Sequence, residues 1–317
     1  MDLSIVIPVY NEEENIEPLV REIGEALGPG GKSYEVILVD DGSADGTYQT
    51  LSRLCARDAR VKAVRLKKNF GQTAAIAAGF AYASGEVIVA MDGDGQNDPQ
   101  DIPALLEKLD DGFDLVSGWR HPRRDPLWSR RLPSHLANGL ISWMTRVKLH
   151  DYGCTLKALR ADLAKGLRLY GEMHRFIPAI AFERGARIAE IKVHHRPRLL
   201  GKSKYGIART FRVLLDLLTV KFLLSYATRP LHIFGLIGLA SGGIGFFFGL
   251  YLTWEKLFYG TAIGGRPLLF LSVLLILVGF QFITMGLLAE MLARTYHESQ
   301  DKPIYVVQNI LDREKKG

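Results

Sequence analysis

Cysteine is scarce in this sequence of 317 residues: Cys55 and Cys154 are the only two. Two thiols so far apart make neither a disulfide framework nor a zinc cluster, and they fit a reducing cytosol. No basic stretch followed by a short apolar core opens the chain, so no cleaved signal peptide is expected. No Gly-x-Gly-x-x-Gly follows the first apolar run, which argues against a dinucleotide-dependent enzyme. The net charge of +6 comes without a nucleic-acid-binding motif, so it reads as charge for a membrane surface, and no nucleic-acid partner is expected. The most telling lack is of charge itself. Residues 231–253 and 267–289 contain no Asp, Glu, Lys or Arg. At ~1.5 Å per helical residue, each run is long enough to cross a hydrocarbon core of ~30 Å.

Two such runs in succession predict a transmembrane hairpin with helices over about 231–254 and 267–289. Lys and Arg are dense before it (Arg196, Arg198, Lys202, Lys204, Arg209, Arg212, Lys221, Arg229) and after it (Arg294, Lys302, Arg313, Lys315, Lys316), whereas the link carries Lys256 and Arg266. That asymmetry predicts a multi-pass protein of the cytoplasmic (inner) membrane, with both termini and the catalytic region in the cytoplasm. Between 205 and 226 the apolar residues Ile207, Phe211, Leu214, Leu215, Leu218 and Phe222 recur at helical spacing opposite Arg209, Arg212, Asp216 and Lys221. This pattern predicts amphipathic juxtamembrane helices lying among lipid headgroups.

The first 120 residues alternate short β-branched runs with helical patterns. Strands are expected at 4–9, 36–39, 61–66, 87–91 and 115–117, with helices over about 15–27, from 46, 73–83 and 101–109. Strands apolar on both faces and separated by helices imply a mostly parallel sheet covered on both sides. The ligands of such sheets sit at the carboxyl ends of the strands. Asn11-Glu12, Asp40-Asp41 and Asp92-Gly93-Asp94 all fall there. Two carboxylates two residues apart at a strand end suit one hard cation, or a cation and a ribose.

Pro8-Val9-Tyr10-Asn11-Glu12-Glu13, Val39-Asp40-Asp41-Gly42-Ser43-Ala44-Asp45-Gly46-Thr47, Asn69-Phe70-Gly71-Gln72 and Asp92-Gly93-Asp94-Gly95-Gln96 together resemble glycosyltransferase family 2. The resemblance is to its dolichol-phosphate mannose synthase-like branch, and within that to bacterial polyprenyl-phosphate glucosyltransferases with two C-terminal transmembrane helices. It extends through Gly171-Glu172-Met173-His174-Arg175-Phe176-Ile177-Pro178 and Gly201-Lys202-Ser203-Lys204-Tyr205. No Gln-x-x-Arg-Trp occurs, which argues against the processive polysaccharide synthases of the same fold. The implied architecture is a GT-A Rossmann-like catalytic domain over 1–204 and amphipathic interfacial helices over 205–229. Two membrane helices over 230–293 and a cytoplasmic tail over 294–317 complete it.

The resemblance implies site residues as well. Pro8, Tyr10, Glu12, Val39 and Asp41 would hold the base and ribose. Asp92, Asp94 and Gln96 would hold Mg²⁺ or Mn²⁺ with the diphosphate, and Gly93 would let the backbone approach the nucleotide. Arg120, Arg198 and Lys204 would contact phosphates of donor or acceptor, with His174 and Arg175 shaping the acceptor site. Asp94, Arg120 and Asp151 are the catalytic candidates, Asp151 either as base or as a group that positions the acceptor. The implied reaction is inverting transfer of one hexose from a nucleotide-sugar, UDP-glucose favoured, to undecaprenyl or another polyprenyl phosphate, for modification of a cell-envelope glycan. GDP-mannose as donor is the nearest alternative, and a non-catalytic membrane scaffold is a more distant one. The resemblance also implies a homotetramer. Gly238 with Gly242 and Gly245 with Gly249 are small-xxx-small pairs that suit close helix approach, whether between subunits or within the hairpin.

Overall fold

The computed structural model of the chain describes residues 1–121, 142, 147–169, 173–196, 230–299 and 304–312. They form two compact units: an α/β unit that also takes in the C-terminal strand, and a helical hairpin. The expected amphipathic helices over 205–229, and Arg198 and Lys204, lie outside the described residues.

The α/β unit is built on an eight-stranded sheet of order β7-β5-β6-β4-β1-β2-β3-β8. Its strands are β1 Leu3–Val9, β2 Tyr34–Asp40, β3 Val61–Leu66, β4 Val87–Ala90, β5 Leu115–Arg120, β6 Lys157–Arg160, β7 Ile188–Val193 and β8 Val307–Leu311. β3, β2, β1 and β4 run parallel, as does β7 beside β5. β6 runs against both β4 and β5, and β8 against β3. The sheet is therefore mixed, with a parallel centre. Every residue of β2 is buried, as its unbroken Val-Ile-Leu-Val run requires of a central strand covered on both faces.

The helices follow from their apolar spacing. In α1, Glu13–Leu27, the residues Ile16, Leu19, Ile23, Ala26 and Leu27 form the buried stripe, while Glu13 and Glu14 place negative charge in the first turn, where the helix dipole favours it. α2 spans Thr47–Arg57, α3 Gln72–Tyr82, α4 Ile102–Asp110, α5 Ala161–Gly166 and α6 Ile177–Glu183. α3 is small-residued and buried on nearly all sides. A Cβ on its Gly79 would lie 2.1 Å from Val6 Cγ1, so glycine is what lets the helix settle onto β1.

The strand order turns round between β1 and β4, since β2 and β3 follow on one side and β4 lies on the other. Such a switch point opens a crevice at the carboxyl ends of the two strands. Pairing of Ala90 with Lys157 brings the segment before β6 to the same end, and pairing of Arg120 with Val193 brings the segment after β7 there too.

The hairpin consists of α7, Pro230–Tyr259, and α8, Pro267–Ser299. Within them Phe234–Tyr259 and Pro267–Ala289 are long and apolar enough to cross a membrane. Only 17% and 11% of those windows are buried, unlike the core helices of a soluble protein. Their glycines serve the contact between the two helices. A Cβ on Gly238 would meet Gly279 O at 2.6 Å, and one on Gly245 would meet Ser272 O at 2.7 Å. Ser272 Oγ donates to Gly245 O at 2.7 Å, and Ser241 Oγ to Leu275 O at 3.0 Å. Gly238 and Gly245 thus serve packing within the hairpin, one of the two uses open to this small-residue stripe.

β8 is the element the sequence does not announce. Residues 294–317 read as a tail, yet Val307–Leu311 pairs with β3 and Lys67 N–H donates to Val306 O at 2.9 Å. Asp312 then joins Glu35 on the ammonium of Lys62, at 3.3 and 3.1 Å.

Candidate active site

Three strand ends and two returning segments build the crevice. At the end of β1, Asn11 takes a left-handed backbone with φ of 55°, a conformation that asparagine tolerates better than most residues. Its N–H donates to Ser43 Oγ at 2.9 Å, and its side-chain oxygen accepts from Ala44 N–H at 2.9 Å. Glu12 N–H donates to Thr47 Oγ1 at 3.0 Å, and the Glu12 carboxylate accepts from Asn15 Nδ2 at 2.6 Å. The turns after β1 and β2 are thus locked to each other. Tyr10 stands exposed at their lip and Val39 is buried beneath them.

At the end of β2, Asp40 accepts from Ser43 N–H at 2.8 Å and faces Arg65 Nε at 3.4 Å. The Asp41 carboxylate accepts from the N–H groups of Phe70 and Gly71, at 2.7 and 2.9 Å. Burial raises its proton affinity, and those two donors work against the rise. Asp41 thereby fastens the Asn69-Phe70-Gly71-Gln72 segment over the end of β2. A Cβ on Gly42, whose φ is 73°, would lie 2.6 Å from the Lys68 backbone, so only glycine allows that approach.

At the end of β4, Asp92 and Asp94 flank Gly93. Gln72, the first residue of α3, donates from Nε2 to Asp92 Oδ1 at 2.6 Å. Asn97 Oδ1 accepts from Asp92 N–H at 3.0 Å and from Thr155 Oγ1 at 3.2 Å. Asp94 Oδ1 accepts from Gln96 N–H at 3.2 Å, and Gln96 O accepts from Arg196 N–H at 3.0 Å. Burial, with the charge of Asp94 added, pushes the Asp92 carboxyl up to about 6. Gly93 packs tightly: a Cβ there would meet Val9 Cγ1 at 2.8 Å and Pro8 O at 3.1 Å. The close approach that this glycine permits is between the ends of β4 and β1.

Beside them lies a buried ionic cluster. Asp151, fully buried, takes Arg120 in a fork, with Nε to Oδ2 at 2.7 Å and Nη2 to Oδ1 at 2.9 Å. Burial opposes the charge on Arg120, but its hydrogen bonds to Asp151 and the carboxylate's charge outweigh that and hold the guanidinium protonated well above its ordinary range. Lys157, 2% exposed, donates to Cys154 O. Burial lowers its proton affinity and pushes the Cys154 thiol up to about 11, so the thiol is unreactive at neutral pH. Of the groups expected from the sequence, the structure gathers Pro8, Tyr10, Glu12, Val39, Asp41, Asp92, Gly93, Asp94, Gln96, Arg120 and Asp151 around this sheet end.

Sequence reasoning gave Gln72 and Lys157 no role. Gln72 sat within a recognised motif, and the motif was its only signal. Lys157 opens β6, and a lysine at the head of a buried strand is the signal that a polar partner lies nearby. His174 is buried, and its Nδ1 shares a proton with Thr73 Oγ1 at 2.8 Å, next to Gln72 on α3.

Among the described residues no group of three or more His, Cys, Asp or Glu side chains is placed to hold a metal. The donors at the end of β4 are two hard carboxylates, with Gln96 tied to Asp94 through its backbone N–H. That set suits a divalent cation that completes its shell with water and phosphate oxygens. The residues fit the ion.

The fold matches glucosyl-3-phosphoglycerate synthase from Mycobacterium tuberculosis, solved with Mn²⁺ and uridine-diphosphate-glucose, with a TM-score of 0.55. Sequence identity to it is 22%, covering 69% of this chain and 78% of that one. Dodecaprenyl-phosphate galacturonate synthase from Rhizobium johnstonii is 47% identical over 316 residues, which is 98% of this chain and 94% of that protein. Undecaprenyl-phosphate 4-deoxy-4-formamido-L-arabinose transferase from Shewanella sediminis is 40% identical over 312 residues, 98% and 92% of the two chains. The model of the family described as glycosyl transferase family 2 matches residues 4–168, from β1 through β6 and so across every strand end that bears the acidic groups. This chain belongs to glycosyl transferase family 2 and is a glycosyltransferase.

Proposed function

We propose that the enzyme transfers one sugar from a nucleoside-diphosphate sugar to a polyprenyl phosphate, with inversion at the anomeric carbon. The observation that carries this reading is the pairing, in one chain, of an acidic switch-point site with two helices whose apolar surface suits lipid. Relatives named for polyprenyl-phosphate products match 98% of the chain and support it.

Pro8, Tyr10, Glu12, Val39 and Asp41 would line the base and ribose, each Asp41 oxygen keeping a second lone pair beyond its backbone donor. Asp92, Asp94 and Gln96 would hold Mg²⁺ or Mn²⁺ against the diphosphate. When bound, the ion supplies Lewis-acid stabilisation of the leaving diphosphate. Gln72 keeps the Asp92 carboxylate turned toward the crevice. Arg120, its orientation fixed by Asp151, offers its remaining N–H groups to phosphate oxygens of donor or acceptor. Arg198 and Lys204 would add further charge there. The acceptor phosphate oxygen forms a bond to the anomeric carbon as the bond to the diphosphate breaks. A phosphate monoester has a second pKa of about 6, so it attacks largely as the dianion and needs no proton removed. Asp151, buried and forked by Arg120, suits positioning better than it suits the role of base.

Glucose from UDP-glucose follows from the sequence resemblance, whereas galacturonate is favoured by the relative at 47% identity. The same assay separates them. Purified enzyme in lipid is given undecaprenyl phosphate and, in turn, UDP-galacturonate, UDP-glucose and GDP-mannose, and the lipid-linked product is weighed by mass spectrometry. Lipid product with one of these donors supports the proposal, and the donor names the sugar. Transfer to a soluble phosphorylated acceptor, with none to lipid, overturns it. β8 returns the chain to the α/β unit after the hairpin, which supports both flanks of the hairpin lying on one side of the membrane, and the density of Lys and Arg on those flanks supports the cytoplasmic side. The homotetramer remains a proposal from resemblance, to be read from native mass measurement in lipid.

A further inference from the structure

Arg120 and Asp151 do not stand alone. Glu190, on β7, points its carboxylate at the turn that carries Asp151, and it is about nine-tenths buried, with 10% of its side chain exposed. Oε1 accepts from His150 N–H and Asp151 N–H, both at 3.0 Å. Oε2 accepts from His150 N–H at 3.0 Å and lies 2.7 Å from His150 Nδ1. One carboxylate therefore holds two successive backbone N–H groups and a ring nitrogen. Past that anchor, the Asp151 side chain turns inward, accepts from Gly153 N–H at 3.1 Å and forks Arg120. The His150 ring, 67% exposed, stacks on Trp119 with centroids 4.2 Å apart, and the Lys192 ammonium lies over the Trp119 ring at 5.4 Å. Trp119 and Arg120 are neighbours on β5, so their side chains leave the strand on opposite faces. The turn is thereby clamped to both faces of β5, with Asp151 on Arg120 and His150 on Trp119, and Glu190 is the fastening from behind.

We infer that Glu190 is a positioning residue for the transfer reaction: it fixes the 150–151 backbone so that Asp151 presents the Arg120 guanidinium to a phosphate. The inference rests on the reading of Arg120 as a phosphate contact. A carboxylate buried merely to stabilise the fold would sit wherever unpaired N–H groups needed a partner. Glu190 instead serves the one turn whose next side chain fixes an arginine at the crevice, and it acts over a backbone length too short to absorb slack. Loss of it frees that turn without removing any group that touches substrate.

The test compares full-length enzyme in lipid carrying Glu190→Ala, Glu190→Gln, Arg120→Lys, and Glu190→Ala combined with Arg120→Lys. Glutamine keeps one acceptor oxygen for both backbone N–H groups, and its amide can donate to a neutral His150 Nδ1. It should therefore restore activity to within about threefold of wild type, while alanine lowers kcat at least about tenfold, the scale of losing one charge-assisted hydrogen-bond anchor. Because Glu190 works through Arg120, the double variant should be no slower than Arg120→Lys alone. Multiplying losses in the double variant, or a Glu190→Ala enzyme with normal kcat, overturn the inference. If Arg120→Lys itself turns over normally, it is the phosphate-contact reading that fails. Should Glu190→Ala not fold, Glu190→Asp, which withdraws the carboxylate by one methylene, must show the same lack of additivity with Arg120→Lys.

Discussion

At the end of β2, Asp40 and Asp41 accept from the N–H groups of Ser43, Phe70 and Gly71. At the end of β4, Asp92 is held by the flexible amide of Gln72, and Asp94 by an N–H two residues along the same loop. In the sequence both are aspartate pairs closing an apolar run. A backbone donor three residues on ties down Asp40, and two from a distant segment tie down Asp41. Like charge acts within both pairs, but burial and the neighbouring aspartate push Asp92 up to about 6, whereas at Asp41 the two backbone donors oppose the rise. Strand-end acidity therefore takes two forms: backbone donors of the 70–71 segment fasten Asp41, whereas a side-chain amide fastens Asp92.

The comparison breaks most visibly with Asp94→Asn. If the β4 pair serves a cation and a diphosphate, turnover should fall at least ~10²-fold, the scale of losing a major electrostatic stabiliser, with protein stability nearly unchanged. Wild-type activity should vanish in excess chelator and return with Mg²⁺ or Mn²⁺. Asp41→Asn should show the opposite profile. One of its two backbone donors would face an amide N–H, costing about 1–3 kcal/mol. Thermal unfolding should register this as a drop of several degrees, with a raised KM for the donor and a smaller change in kcat.

Away from both pairs, Gly238→Val should push α7 from α8, an overpacking penalty of about 1–3 kcal/mol read as a lower melting point in detergent with transfer kinetics per folded enzyme little altered. The smallest effect is expected at His194, whose ring Nδ1 lies 2.7 Å from Asp101 and whose pKa is raised by its hydrogen bond to that carboxylate. A raised pKa in the folded state means that the contribution is full below the ordinary histidine value and fades as pH rises through the raised one. Asp101→Asn should thus narrow the gap in stability between acidic and alkaline buffers. An unchanged gap removes the pair from the stability of the 194–196 turn.

Much of the frame could be read from the chain because its signals are local. The unbroken Val36-Ile37-Leu38-Val39 run dictates a strand buried on both faces, and the uncharged stretches dictate two long helices. Asp92-Gly93-Asp94 was legible as an acidic cluster at a strand end for the same reason. What could not be read depends on partners far along the chain. Arg120 and Asp151 were each noticed, but nothing within either neighbourhood says that they fork together. Glu190 sits in an ordinary alternation, Ile188-Ala189-Glu190-Ile191, in which an outward carboxylate is unremarkable. Val307-Gln308-Asn309-Ile310-Leu311 becomes a strand only because β3 offers it an edge.

That edge carries a consequence in time. Asn309 Nδ2 donates to Tyr48 OH across 261 residues of chain, and β8 joins β3 over a similar separation. A ribosome adding about 5–20 residues per second needs roughly 13–50 s to supply the missing strand after β3 has emerged. For that interval β3 is the unpaired border of a growing sheet, and both apolar helices are made before it can be covered. The α/β unit therefore completes its sheet only after the hairpin has been synthesised.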